Sequence, residues 1–144
     1  MGLISKVMFW RRHKPVVPVV RLAGVITQSS RLGQRGLSLE AVEPQLKKAF
    51  SIKRAKAVAL IINSPGGSPV QSSLIGQRIR DLATRADVPV LAFCEDVAAS
   101  GGYWIAASAD EIIANPASVI GSVGVVSAGF GFDKAIAKLG VERR

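Results

Sequence analysis

The stretch "AVALIINSPGGSPVQSSLIGQRIRDLATRA" (57–86) decides the fold that the sequence predicts. Residues 57–63 form a continuous apolar, β-branched run, which is typical of a strand covered on both faces. Gly66 and Gly67 then predict a turn, and the helix that follows at 70–86 carries its apolar residues on one face. These residues are Leu74, Ile75, Ile79, Leu82 and Ala83. Strand, turn and helix in this order are the unit from which parallel sheets are built.

The same order recurs on both sides of this stretch. Upstream, the pattern predicts an edge-like strand at 15–26, a polar loop at 27–38 and a helix capped by Ser38. Downstream, it predicts strands at 88–94 and 111–115, a helix at 101–109, a further strand within 119–126 and a last helix at 132–140. The sequence therefore predicts an α/β fold with a mostly parallel sheet. Because ligands bind beyond the carboxyl ends of such strands, the turns Gly66-Gly67 and Gly101-Gly102 should share one rim.

The composition indicates one folded domain and excludes several kinds of site. With 144 residues, 49% of them hydrophobic and 20% charged, the chain suits a single core, with disorder expected only at its ends. Cys94 is the only cysteine, so no internal disulfide forms, and its apolar surroundings predict a buried structural thiol. His13 is the only histidine, which excludes the usual Cys/His zinc sites, and no metal or cofactor is expected.

The charge of the chain is strongly positive. The formal net charge is +9, from 19 Lys and Arg residues against 10 Asp and Glu residues. Only "FWRRHK" (9–14) combines basic and aromatic residues, so nucleic-acid binding is not expected. Residues 1–14 form a basic and apolar tail that is either a frayed terminus or a segment lying on an anionic membrane surface. No apolar run approaches the roughly 18 residues that span a bilayer, and the tail does not have the order of a signal peptide.

Each Gly-Gly turn has a structural and a functional interpretation. "NSPGGS" (63–68) lacks the Gly-Lys-Ser/Thr ending of a phosphate loop, and alone it favours a plain tight turn. Ser100 in "AASGGYW" (98–104) is either a helix N-cap or a nucleophile at a helix N-terminus, and spacing alone favours the cap. If Ser100 is a nucleophile, the amides of Gly101 and Gly67 could supply two oxyanion donors, which would make an acyl-transfer site.

The sequence offers no convincing general base for Ser100. His13 lies in the basic tail, so a Ser-His-Asp triad is not expected. Lys134 and Lys138 are expected to face solvent, on the side of the last helix opposite its apolar residues. Glu95 and Asp96 flank the site, but exposed carboxylates are weak bases for a hydroxyl.

Three segments together resemble the signal peptide peptidase A (protease IV) family of bacterial serine peptidases, within the Clp protease/crotonase-like fold superfamily. They are "ALIINSPGGSPVQSSLIGQRIRDL" (59–82), "PVLAFCEDVAASGGYWIAASADEIIANPASVIGSVGVV" (89–126) and "FGFDKAIAKLGVE" (130–142). The resemblance implies that Ser100 is the nucleophile, and that the oxyanion donors are Gly101 and Gly67, with Gly67 preferred over Gly66. It also implies a Ser-Lys dyad that cleaves peptides, including signal-peptide remnants, without ATP or metal. A homo-oligomer, either membrane-associated or cytoplasmic in a bacterium, is implied as well.

One departure from the family concerns the base. The family's lysine lies beyond the "KLGV" segment (138–141), where this chain reaches Arg144. We therefore expect 15–144 to be a peptidase domain that is incomplete at its C-terminus, and the chain alone to be inactive. Residues around Val70, Ala98 and Val125 are candidates for the substrate pocket. The alternatives are a crotonase-like acyl-thioester enzyme, which needs no serine at position 100, and an inactive scaffold or pseudopeptidase.

Overall fold

Among the residues that the structure describes, five parallel strands form the centre of the molecule. The structure is a computed structural model that describes residues 14–28, 36–124, 136 and 138–140. The strands are β1 (Val19–Ala23), β2 (Val58–Ser64), β3 (Val90–Ala99), β4 (Glu111–Ala114) and β5 (Val119–Gly121). Their order is β1-β2-β3-β4, with β5 also paired to β3, and every pairing is parallel. The predicted α/β fold with a mostly parallel sheet is confirmed, and β1 lies at an edge as its prolines predict.

In the described part of the chain, the helices that connect these strands are α1 (Leu39–Phe50), α2 (Pro69–Ala86) and α3 (Gly101–Ala106). The Ser38 hydroxyl accepts a hydrogen bond from the Ala41 amide and so caps α1 as predicted. Ser68 caps α2 in the same way. The helix predicted at 101–109 ends earlier, at Ala106, and a turn follows.

The core lies between one face of the sheet and the helices. Successive side chains of a strand point to opposite faces, and in β1 and β2 one set is fully or almost fully buried. The largest fully buried side chains of these strands and of the three helices are Leu22, Leu46, Leu60, Ile62, Ile75, Ile79 and Ile105. On the other face Val19 is 58% exposed, Phe93 is 39% exposed and Ile61 is half-buried. Among the described residues, β2 is therefore fully covered on one face only, whereas its apolar run predicted cover on both.

Strand β3 is longer than the sequence predicts. The predicted strand ends at Cys94, but β3 continues through the acidic pair Glu95 and Asp96. Arg21 pairs with Glu95 at 2.5 Å, and the Asn63 amide donates to Asp96 at 3.0 Å. These partners satisfy the two carboxylates inside a strand, which the sequence pattern alone does not reveal. The pairing of β2 with β3 has a register irregularity at this point, and the last residues of β3 pair with β5.

Several predicted segments fall outside the described residues. They include most of the basic tail, for which only Lys14 is described, and the middle of the loop at 27–38. Only parts of the last helix prediction are described, and the further strand predicted within 119–126 is β5. Over the part of the chain that is described, no helix combines the length and the apolar character needed to cross a membrane.

Candidate active site

The two Gly-Gly turns meet at the carboxyl ends of β2 and β3, on the rim that the parallel sheet predicts. A Cβ atom placed on Gly66 would lie 2.8 Å from the Ala99 carbonyl oxygen and from the Ser100 Cβ. It would lie 2.9 Å from the Gly101 nitrogen. Only a glycine at position 66 allows the backbones of the two turns to approach this closely.

Ser100 occupies the N-cap position of α3, but its side chain makes no capping hydrogen bond. Its backbone is held on both sides, because its amide donates to the Gly121 carbonyl at 2.7 Å and its carbonyl accepts from Trp104 at 3.0 Å. The φ and ψ angles of Ser100 are 52° and −118°, a strained conformation for a residue other than glycine. Capping therefore does not account for a serine at this position. Ser100 thus lies at a strained turn between β3 and α3, the kind of position at which nucleophilic serines are found on other α/β folds.

The amides of Gly101 and Gly67 are both available to a ligand. Gly101 is the first residue of α3, where backbone N–H groups lack an intrahelical acceptor. Ile26 brackets Gly67, because the Ile26 amide donates to the Gly66 carbonyl and the Ser68 amide donates to the Ile26 carbonyl, both at 2.8 Å. This arrangement leaves the Gly67 N–H without an acceptor among the described residues.

The Gly66 amide is used differently, since it donates to the Ser64 hydroxyl at 3.1 Å. Gly66 is also buried, whereas Gly67 is exposed. The geometry therefore favours Gly67 over Gly66 as an oxyanion donor, the same preference that the family resemblance implies.

A cavity of about 250 Å³ brings these groups together. Its lining consists of Gly67, Pro69, Ser72, Ser100, Gly101, Trp104, Val123 and Gly124. Ser100 and the two glycines thus line one partly apolar cavity, and a serine beside backbone N–H groups is part of what acyl transfer by a serine requires. Val70 and Ala98, proposed from the sequence for the substrate pocket, are not in this lining, and Val125 lies outside the described residues.

The acidic pair that flanks Ser100 in the sequence does not reach it in the structure. Glu95 and Asp96 line a separate cavity of about 440 Å³ together with Arg21, Asn63, Asn115, Ala117 and Ser118. The two cavities share no lining residue. Both carboxylates also have partners, in Arg21 and Asn63, so neither is placed to take the Ser100 proton.

The remaining candidates from the sequence are the basic side chains considered as general bases and the single cysteine. Lys138 is exposed, as predicted, whereas His13 and Lys134 lie outside the described residues. Cys94 is buried, and burial raises the pKa of its thiol, which agrees with the predicted structural role. In the described ranges, no group of three or more His, Cys, Asp or Glu side chains could hold a metal ion.

The sequence reasoning missed two buried serines beneath the site, Ser64 and Ser72, both of which are fully buried. The Ser72 hydroxyl donates to the Ser68 carbonyl at 2.8 Å and fills the space where a Cβ on Gly101 would lie. The available signal was a polar residue at a position that the strand or helix pattern assigns to the core. Buried hydroxyls are normally hydrogen-bonded, so such positions mark polar contacts inside the fold.

Comparison with known proteins shows which family the C-terminal part of this chain is similar to. The model of Peptidase family S49 matches residues 83–144, which include Ser100 and Gly101. The predicted family resemblance is confirmed. The S49-like chain is 35% identical to Protease 4 of Haemophilus influenzae over 125 residues, which make up 87% of this chain and 20% of that protein. It is 36% identical to the chloroplastic serine protease SPPA of Arabidopsis thaliana over 131 residues, 88% of this chain and 19% of that protein.

A third relative has a different name. The S49-like chain is 57% identical over 146 residues to a Brucella abortus protein named Na(+)/H(+) antiporter NhaA, covering 99% of this chain and 20% of that protein. The chain spans about a fifth of the length of all three relatives. The antiporter name describes the whole Brucella protein and does not say what the matched fifth does.

The fold also matches a solved structure. A mutant of a membrane-bound stomatin-specific protease matches with a TM-score of 0.58 and 22% identity, over 88% of this chain and 59% of that chain. At this identity the match supports the fold alone.

Proposed function

We propose that this protein is a serine peptidase in which Ser100 is the nucleophile and the amides of Gly101 and Gly67 form the oxyanion hole. The observation that carries the proposal is the single cavity lined by Ser100, whose side chain does not cap α3, and by both Gly67 and Gly101. The family match over residues 83–144 supports a peptidase rather than another acyl-transfer enzyme.

The proposed reaction proceeds through an acyl-enzyme. The Ser100 Oγ attacks the carbonyl carbon of the substrate peptide bond while its proton passes to the general base. The carbonyl oxygen becomes an oxyanion, which the N–H groups of Gly101 and Gly67 stabilise. The C–N bond then breaks, the leaving amine takes the proton from the base, and an ester remains on Ser100. Water hydrolyses this ester with the help of the same base, which releases the acid and regenerates the serine.

The general base in this proposal is a lysine beyond residue 144. No described residue is placed to act as one, since Glu95 and Asp96 face another cavity and Lys138 is exposed. A lysine that is desolvated on substrate binding can have a pKa low enough to accept the serine proton. On this proposal, residues 15–144 form most of a peptidase domain, and the 144-residue chain by itself is inactive. Hydrolysis that survives replacement of every lysine in the full-length protein would contradict the Ser-Lys dyad.

The proposed substrates are peptides, including signal-peptide remnants, and no metal or nucleotide cofactor takes part. We further propose a homo-oligomer that is membrane-associated or cytoplasmic in a bacterium. An anionic membrane surface is the proposed partner of residues 1–14, and nucleic acid is not a proposed partner. Binding to anionic vesicles that is lost when residues 1–14 are deleted would support the membrane contact.

A crotonase-like acyl-thioester enzyme is the main alternative within the fold. It would use the same two amides but would need no hydroxyl at position 100. The strained backbone of Ser100, together with its uncapped side chain, favours the nucleophile. A non-enzymatic scaffold, which would need no reactive hydroxyl at position 100, is a second alternative.

A fluorophosphonate probe distinguishes the proposed peptidase from both alternatives. The full-length natural protein that contains this chain should be labelled, and its Ser100→Ala variant should not. Ser51→Ala is the control, because Ser51 is an exposed serine at the end of α1 and its hydroxyl donates to the Lys48 carbonyl at 2.9 Å. Labelling that persists in Ser100→Ala, or no labelling of the parent protein, would overturn the proposed peptidase mechanism.

A further inference from the structure

Ser64 is a hydroxyl inside an otherwise apolar face of the sheet. It is the last residue of β2, follows Val58, Leu60 and Ile62 on that face, and is 0% exposed. Its hydroxyl donates to the Gly24 carbonyl at 2.7 Å and accepts from the Gly66 amide at 3.1 Å. A buried hydroxyl stabilises the fold only when it is paired, and here both its donor and an acceptor position are used.

These two hydrogen bonds join the segments that present the Gly67 amide. Gly24 directly follows the edge strand β1, and the chain continues from it to Ile26, which is hydrogen-bonded to the residues on both sides of Gly67. Gly66 directly precedes Gly67, so the hydrogen bond from its amide fixes the peptide before the oxyanion donor. Ser64 thereby holds both the strand exit and the turn while leaving the Gly67 N–H free of any acceptor among the described residues.

Ser64 also lies against the helix that begins at the nucleophile. A Cβ atom on Gly102 would lie 2.6 Å from the Ser64 carbonyl oxygen and 3.2 Å from its Cβ. One residue therefore contacts the edge-strand exit, the first Gly-Gly turn and the first turn of α3. These are the three segments whose relative placement determines the distance between the two amides and the Ser100 hydroxyl.

We propose that Ser64 is a positioning residue of the acyl-transfer site, which orients the Gly66–Gly67 turn so that the Gly67 N–H faces the oxyanion. This inference rests on the proposed peptidase function. Ser64 does not line the cavity and does not touch the substrate. Its effect is transmitted through the Gly66 amide and the Gly24 carbonyl.

The kinetic test is made in the full-length protein with Ser64→Ala. We expect kcat to fall about 10- to 100-fold with KM within about twofold, because loss of a whole oxyanion donor costs about 100- to 1,000-fold in kcat. The control is Val58→Ala, which truncates a fully buried side chain at the other end of the same strand. Val58→Ala should lower the unfolding temperature but leave the kcat of the folded enzyme within about twofold of the parent. A Ser64→Ala variant with undiminished kcat, or equal losses of kcat in both variants, would overturn the positioning role.

A second measurement does not depend on activity. In the same protein with isotope-labelled glycine, hydrogen exchange at the Gly66 amide should speed up at least about tenfold in Ser64→Ala and stay unchanged in Val58→Ala. Unchanged exchange at Gly66 in Ser64→Ala would overturn the inference, whatever the kinetics. If the parent protein shows no Ser100-dependent labelling, the proposed function fails. Labelling of the parent combined with undiminished kcat in Ser64→Ala refutes only the role of Ser64.

Discussion

Replacing Gly66 with alanine tests whether the two Gly-Gly turns are in direct backbone contact. The new methyl group would lie 2.8 Å from the Ala99 carbonyl oxygen and the Ser100 Cβ, and 2.9 Å from the Gly101 nitrogen. Two of these three neighbours are backbone atoms, so the contact cannot be relieved by rotating a side chain. The φ angle of Gly66 is 97°, a conformation that alanine adopts only under strain.

The expected loss of stability follows from three contributions. The strained backbone costs about 1–3 kcal/mol, and the overpacking costs about another 1–3 kcal/mol. Reduced entropy of the unfolded chain offsets about 0.4–1 kcal/mol of this. We therefore expect Gly66→Ala to lower the free energy of unfolding by about 3 kcal/mol.

The same substitution at Gly76 provides the matched control, and the expected effect has the opposite sign. Gly76 lies inside α2, where a Cβ would meet the Ser108 Cβ at 3.5 Å and the Trp104 Cδ1 at 3.7 Å, both ordinary contacts. Alanine is a better helix former than glycine, so Gly76→Ala should raise the free energy of unfolding by about 0.5–1 kcal/mol. Urea unfolding at 25 °C measures both variants. A Gly66→Ala variant within about 0.5 kcal/mol of the parent, or a clearly destabilised Gly76→Ala, would refute the reasoning.

Three further predictions concern the strained serine, the close contact at Gly101 and the response to acid. Ser100→Gly should be about 1 kcal/mol more stable than Ser100→Ala in thermal unfolding, because only glycine adopts the positive φ of this position without strain. If the alanine variant were the more stable of the two, the backbone at Ser100 would not be strained. Gly101→Ala should destabilise the protein because the new methyl group would overlap the Ser72 hydroxyl. Adding Ser72→Ala to this variant should recover about 1 kcal/mol of the free energy of unfolding measured in urea. If the losses of the two single variants simply added in the double variant, that contact would be excluded. Hydrogen bonds from Arg78, and after them from Lys47, hold the pKa of Glu43 at about 2, below its ordinary 4.5, so this stabilisation is complete above pH 4.5 and is lost as the pH falls towards 2. Arg78→Met removes the larger of these two causes and should therefore weaken the acid dependence of stability in urea unfolding at stepped pH. An unchanged profile would show that the Arg78–Glu43 pair does not cause it.

The path of the chain was largely predictable because its signals are local. Apolar runs, capping serines and Gly-Gly turns act over a few residues, and they locate β2, α1 and α2 closely. The end of β3 was predicted wrongly because Glu95 and Asp96 resemble a loop in sequence. Their partners, Arg21 and Asn63, lie 74 and 33 residues away along the chain, so no local pattern reveals them.

The sequence by itself determined which groups are candidates for the chemistry: one serine before paired glycines, and a second Gly-Gly turn on the same rim of a parallel sheet. Only the tertiary structure decided how they are arranged, because hydrogen bonding and close contact depend on residues far apart in the chain. It shows that the Ser100 side chain does not cap its helix and that Ile26 leaves the Gly67 amide unused among the described residues. It also shows that the buried hydroxyl of Ser64 joins the exit of the edge strand to the first Gly-Gly turn.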